Sequence, residues 1–300
     1  MRVREIHEGR RLYTCATYAS VAELAAYSGP IAPHAARRRD SARGGEVWAQ
    51  VLDRLDGKVD WIGCTREAAR ARLVSGWPEG LAQAQALAER VQRMAENLAP
   101  RDVRRRPRYS EESGDEVDLD RMRAGAPWWR ECVRSRHVQA RALTLAVQVG
   151  GLADVSEESL RWNSVLALAL VHVFEGAGIA CSVRAVAASD QCHNRADETL
   201  VRILEAKRSE DAMLPDLLAA VLAPSTFRAC MIPSVQLLAK RPDEGGGSTV
   251  AVASMPQAVL DYLADGAPLI VLPHVFNEAD ALTAARRVLR LHEEGEALAS

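Results

Sequence analysis

The chain has 300 residues, of which 48% are hydrophobic and 26% are charged, and its formal net charge is −2. These values are ordinary for a globular protein, and they exclude a mainly disordered chain and a protein with a strong overall basic field. The six cysteines are scattered, so we expect reduced thiols rather than a disulfide framework. The N-terminus has no apolar signal-peptide core and no stretch is long enough for a membrane span, so we expect a cytoplasmic protein.

Residues 1–100 are predicted to form a helical N-terminal region. Ser20 and Thr65 each precede a short amphipathic segment and are suited to cap a helix through their hydroxyl groups. A longer helix is predicted over residues 78–98, because apolar residues recur there at helical spacing and a proline opens the segment.

Residues 101–136 differ in composition and are predicted to be a charged linker or surface excursion. A basic arm is followed by an acidic arm, and the two are expected to pair with each other. A tryptophan pair follows, and at least one ring should pack on the core or on a partner, because burying such a side chain is worth about 2 to 3 kcal/mol. The predicted partner-binding residues are Trp128, Trp129, Arg104, Arg105 and Arg106. The alternative is that the arginines contact phosphates and the aromatic rings stack on bases.

Residues 137–300 are predicted to be an α/β core domain. A strand over 138–149 is followed by a helix over 157–175, and further strands are predicted over 179–187, 199–206 and 268–272. Strand–helix–strand units favour right-handed crossovers. We therefore predict a three-layer α/β/α fold with a mostly parallel sheet.

The turn after the first of these strands is a candidate ligand site, because ligands of open α/β sheets bind beyond the carboxyl ends of the strands. The candidate ligand-binding residues are Gly150, Gly151 and Ser189. Neither GxGxxG nor GxxxxGK[ST] occurs, and two glycines at a strand end usually form a simple turn.

His274 follows a predicted buried strand and is the best single candidate for a catalytic residue. The sequence offers no serine, cysteine or carboxylate partner for it, and a lone histidine does not define a mechanism. Cys192 and His193 are only two local zinc ligands where four are needed, so we expect no metal site and no cofactor.

Residues 143–187 (LTLAVQVGGLADVSEESLRWNSVLALALVHVFEGAGIACSVRAVA) resemble the opening of a von Willebrand factor A-type domain, and PLIVLPHV at 268–275 resembles a late strand of that fold. The resemblance implies the α/β fold and a role in binding partners, sometimes beside a ring ATPase. Domains of that type bind Mg²⁺ through a DxSxS turn, whereas here Gln148 or Gly150 holds the aspartate position. The nearby oxygen ligands lie at a helix start, where capping is the simpler interpretation: Asp154, Ser156 and Ser159.

A second set of segments is similar to an uncharacterised family of phage and prophage proteins. These segments are WIGCTREAARARLVSGWPEG, SGDEVDLDRMRAGAPWW, RWNSVLALALVHVFEGAGIACSV, LVRILEAK and LAPSTFR. The resemblance implies a viral or mobile-element origin, with the protein in the host cytoplasm or in the virion, and it transfers no catalytic residue.

Two functions follow from these patterns. The first is a non-enzymatic binding or assembly protein that acts through protein–protein contacts, with a ring ATPase or a virion component as partner. The alternative is an enzyme or binder that acts on nucleotides or nucleic acid at the carboxyl edge of the sheet. Converging polar groups around Gly150, Ser189 and His274 would favour the alternative.

Overall fold

The computed structural model describes residues 1–27, 62–94, 108–110, 116–117, 119–131, 142–150, 155–190, 198–231 and 249–299. The chain begins with a hairpin of β1 (Arg2–Glu8) and β2 (Arg11–Tyr18), which turns at Gly9 with a φ of 59°. The prediction of a helical N-terminal region is therefore wrong for these two segments. Their β-branched and aromatic residues favour strands, and Gly9 supplies the left-handed turn conformation.

The described part of the N-terminal region contains three helices: α1 (Val21–Tyr27), α2 (Arg66–Ser75) and α3 (Pro78–Met94). The predicted caps are confirmed, since the Ser20 hydroxyl accepts the backbone N–H of Glu23 and the Thr65 hydroxyl accepts that of Ala68, both at 3.1 Å. The predicted last residues of the third helix, 95–98, lie outside the described residues.

The charged segment contains a small antiparallel sheet of β3 (Arg108–Ser110), β4 (Glu116–Val117) and β5 (Trp129–Glu131), together with a short helix, α4 (Leu119–Arg123). The strand order is β3-β5-β4. Where they are described, the basic and acidic arms therefore pair with the tryptophan-bearing strand between them and not with each other.

The remaining part of the chain alternates between strands and helices, as predicted. Its elements are β6 (Ala142–Gln148), α5 (Glu157–Gly176), β7 (Ala180–Asp190), β8 (Glu198–Lys207), α6 (Pro215–Leu222), α7 (Pro224–Thr226), β9 (Thr249–Val250), α8 (Gln257–Ala264), β10 (Leu269–Val271) and α9 (Glu278–Ala299). A π-helical turn, Phe227–Met231, continues directly from α7.

The main sheet has the strand order β1-β2-β8-β7-β6-β10, with β9 beside β7. Among the described strands, the pairs β2–β8, β6–β7 and β6–β10 are parallel, whereas β1–β2, β7–β8 and β7–β9 are antiparallel. The sheet is therefore mixed. The connection between β7 and β8 is too short for the crossover of a dozen or more residues that parallel neighbours require.

Helices cover both faces of this sheet. On one face, Leu24 of α1, Leu73 of α2 and Leu166 of α5 belong to a single hydrophobic cluster with residues of the sheet. On the other face, Val259 and Leu263 of α8 belong to a second hydrophobic cluster with residues of β7 and β8. The N-terminal helices and the α/β part thus share one core. No helix in the described ranges is long and apolar enough to cross a membrane.

Candidate ligand-binding site

Gly150 lies at the carboxyl end of β6, which has β7 and β10 on its two sides as a central strand should. A Cβ atom at Gly150 would lie 3.0 Å from the Cβ of Ala187 on β7 and 3.2 Å from the Cζ of Phe227 in the π-helical turn. The close approach of these three residues explains why a glycine ends this strand, and it fixes the π-helical turn over the sheet.

His274, which follows β10, is held by two hydrogen bonds at the same end of the sheet. Its Nε2 lies 3.1 Å from the carbonyl oxygen of Gly150, and its Nδ1 lies 3.0 Å from the side-chain nitrogen of Asn163 on α5. Because a carbonyl only accepts, Nε2 donates, and Nδ1 accepts from the amide. The Asn163 oxygen accepts the backbone N–H of Val275 at 2.8 Å. These bonds define a neutral imidazole that links three elements.

Burial lowers the pKa of His274 below its usual value, and the hydrogen bond to the Gly150 backbone acts in the opposite direction. General acid–base catalysis requires a ring nitrogen within reach of a substrate proton. Both nitrogens of this imidazole are already engaged in hydrogen bonds to Gly150 and Asn163. The catalytic role assigned to His274 from the sequence stays a prediction.

Ser189 lies near the end of β7, and its hydroxyl oxygen accepts a hydrogen bond from Arg202 Nη1 on β8 at 3.0 Å. It lies two residues after Ala187 and therefore on the same face of the sheet. Gly150, Ser189 and His274 thus occupy one end of the sheet, as the candidate site requires, and the structure adds Arg202 to them.

Arg202 was not predicted as a site residue. Its side chain is only 5% exposed, and its Nε atom is buried without a hydrogen-bond partner. Burial lowers the pKa of Arg202 to about 10, with Tyr18 acting in the opposite direction, so the guanidinium is still charged at neutral pH. One feature of the sequence pointed to Arg202. It lies two residues from both Leu200 and Leu204, so the alternation of side chains along a strand predicts that all three share the buried face.

The turn after Gly150 lies in part outside the described residues, including Gly151 and Asp154. Ser156 caps α5, because its hydroxyl oxygen accepts the backbone N–H of Ser159 at 3.1 Å. The capping interpretation of this serine is confirmed. The described residues include no group of three His, Cys, Asp or Glu side chains that could hold a metal ion.

A second candidate site is the tryptophan surface, which we define as Val117, Met122, Trp128 and Trp129. Val117 pairs with Trp129 across β4 and β5. Val117 is 43% exposed and Met122 51% exposed, while both tryptophans are half-buried. The carbonyl of Pro127 accepts a hydrogen bond from Arg121 Nε at 3.0 Å, which fixes the start of the tryptophan pair. The predicted partner-binding arginines 104–106 lie outside the described residues.

The chain belongs to the family described as a domain of unknown function, DUF7192, which matches residues 12–293. The matched range begins in β2 and ends within α9, so one family domain includes both candidate sites. No curated protein and no solved structure matches the chain.

Proposed function

We propose that this protein is a non-enzymatic binding or assembly protein of phage or prophage origin that acts through protein–protein contacts. The observation that carries the proposal is the tryptophan surface, where Val117 and Trp129 lie opposite each other and both remain partly open to solvent. An incompletely buried aromatic side chain opposite an exposed apolar residue is a feature of protein interaction sites.

Within the described residues, the strands of the small sheet that carries this surface are Arg108–Ser110, Glu116–Val117 and Trp129–Glu131. Aromatic side chains dominate the energetics of protein interfaces when a partner excludes water from them. A partner covering Trp128 and Trp129 would therefore gain more than a partner on the charged surface around them. The predicted partner is a ring ATPase or a virion component.

The arrangement of His274 supports binding over catalysis. A catalytic imidazole needs one nitrogen directed at the reacting group, whereas here both nitrogens bond to Gly150 and Asn163. The hydrogen bonds instead keep the ends of β6 and β10 at a fixed distance from α5, which is a structural task.

Site-directed photo-crosslinking tests the proposal. A photoreactive amino acid is placed at Val117 in the tryptophan surface, or at Val74 on α2, which is 88% exposed and serves as the matched control. Each protein is expressed together with the phage genes that neighbour its own gene. We expect one defined protein to crosslink from position 117 and not from position 74. Equal products from both positions, or none from position 117, would contradict the proposal.

A further inference from the structure

We propose that Arg202 and Ser189 form a binding site for a small oxyanion group, phosphate or carboxylate, at the carboxyl end of β7. The inference goes beyond the proposed protein contact, because it uses none of the residues of the tryptophan surface. It rests on the burial of the Arg202 guanidinium, its hydrogen bonds and the residues around it.

Arg202 is a charged group in a place that offers it little compensation. Within the described part of the chain, its only hydrogen bond is the one to the neutral hydroxyl of Ser189, and no carboxylate lies within ion-pair distance. Its Nε–H is buried and unpaired. Removing a charge from water costs several kilocalories per mole unless a counter-charge and hydrogen bonds replace the solvent.

The acidic residues closest to Arg202 along the strands are engaged elsewhere. Asp190 follows Ser189 but points to the other face of the sheet, where it accepts a hydrogen bond from Thr199 at 2.8 Å and pairs with Arg11 at 3.5 Å. Glu198 shares the face of Arg202 but lies four residues earlier on β8, and it accepts a hydrogen bond from Thr14 at 3.3 Å. Among the described residues neither carboxylate is available to Arg202, and an external anion is the partner we propose for it.

Arg184 on β7 shows how this fold compensates another largely buried arginine. Its Nη1 donates to the carbonyls of Tyr262 and Leu263 at 2.9 and 2.7 Å, and its Nη2 pairs with Asp265 at 2.9 Å. Residues of the protein thus supply Arg184 with hydrogen bonds and a counter-charge, whereas the described residues supply Arg202 with one hydrogen bond and no counter-charge. The contrast makes Arg184 the natural control for any test of Arg202.

The immediate surroundings of Arg202 suit a small ligand. Its neighbours in register are Ala187 on β7 and Ala16 on β2, and Gly150 approaches Ala187 from the next strand. Both of these neighbours have small side chains, while Arg202 itself is almost fully buried. The planar fork of arginine matches the two oxygens of a carboxylate or phosphate. Because the Ser189 oxygen accepts from Arg202, its own proton is available to donate to the same anion.

The site hypothesis and a structural role for Arg202 predict opposite effects of an apolar replacement. If the arginine is only structural, Arg202→Met should lower the melting temperature. If its charge awaits a ligand, Arg202→Met removes an uncompensated charge while keeping the side-chain volume, and the free protein should melt at the same temperature or higher.

The test uses thermal melting and titration calorimetry of the full chain in chloride, inorganic phosphate and acetate at equal ionic strength. We expect phosphate or acetate to raise the melting temperature of the native protein above its value in chloride, and the anion that does so identifies the group. Arg202→Met should abolish the rise, and Arg184→Met should melt lower yet keep it. Ser189→Ala, which leaves the arginine in place, should weaken anion binding by about tenfold to a hundredfold, as expected for one hydrogen bond to a charged group.

The inference is overturned if neither oxyanion raises the melting temperature of the native protein, or if Arg202→Met responds to the anion as the native protein does. Should Arg202→Met fail to fold, the Ser189→Ala variant decides: unchanged anion affinity in that variant would also overturn the site. Crosslinking from Val117 is unaffected by any of these outcomes, so the two proposals fail separately.

Discussion

The side chain of Asn163 holds His274 in one protonation state: the amide nitrogen donates to Nδ1 at 3.0 Å while the amide oxygen accepts the backbone N–H of Val275 at 2.8 Å. A protonated imidazole would place a hydrogen on Nδ1 against the amide hydrogens of Asn163. Rotating the amide would only move the conflict to Val275. The buried end of the sheet therefore requires the neutral histidine.

Stability should consequently fall in mild acid. Burial lowers the pKa of folded His274 below its ordinary value of 6.5, so in the unfolded chain this histidine takes up a proton at a higher pH than in the folded one. The contribution is complete above pH 6.5 and is lost as the pH falls from there toward the folded pKa. Urea unfolding at pH 7.5 and 5.5 measures it. The loss should be smaller in His274→Asn, and an equal loss in both proteins would contradict the assignment.

Replacing Asn163 tests the same network from the other side. Asn163→Ala leaves the Val275 N–H and the His274 Nδ1 without their partner, so we expect a loss of about 2 to 3 kcal/mol in the free energy of unfolding. Asn277→Ala is the control: this exposed asparagine caps α9 by accepting the backbone N–H of Asp280 at 2.9 Å, and its loss should cost about 1 kcal/mol. Similar losses in the two variants would contradict the buried network.

Gly150→Ala should be destabilising by about 1 to 3 kcal/mol, because the new methyl group meets Ala187 and Phe227 in a packed region. At Gly176, the last residue of α5, a Cβ would meet nothing within 4 Å, so Gly176→Ala should be neutral or slightly stabilising. Chemical denaturation compares the two. Adding Ala187→Gly should restore part of the stability lost in Gly150→Ala, and a purely additive double variant would argue against the contact.

The two kinds of tryptophan in this chain should respond differently to alanine. Trp77 is 3% exposed, and the guanidinium groups of Arg72 and Arg161 lie 5.7 and 5.3 Å from its ring. Trp77→Ala should therefore cost about 3 to 5 kcal/mol, as core tryptophans do. The double variant Trp128→Ala, Trp129→Ala should melt close to the native protein if the pair is a partner surface. A loss of stability as large as that of Trp77→Ala would show that the pair packs on the core and would contradict the partner surface.

The local signals in the sequence predicted much of the fold. Ser20, Thr65 and Ser156 were identified as helix caps because the chemistry of a cap depends only on neighbouring residues. The strand that ends before Gly150 and the helix that follows it were likewise predictable from a change of hydrophobic period. The β1–β2 hairpin was missed, although its residues favour strands, because a short exposed edge strand carries no clear alternation of polarity.

The candidate site was only partly predictable, for a physical reason. Gly150, Ser189 and His274 could be grouped because the ends of strands meet at one edge of a sheet. Arg202 and Asn163 could not be assigned, because their roles depend on which strands are neighbours and on which helix covers them. The sequence did not make clear whether β8 runs parallel or antiparallel to β7. The short connection after β7 was the one feature that indicated an antiparallel pair.

The most direct test of the central claim is the yield of the crosslink from position 117 when Trp128 and Trp129 are both alanine. The account predicts that this double substitution abolishes the crosslinked product that the otherwise native protein gives, while the melting temperature stays near that of the native protein. An undiminished crosslink in the folded double variant would contradict the claim that the tryptophan surface binds the partner.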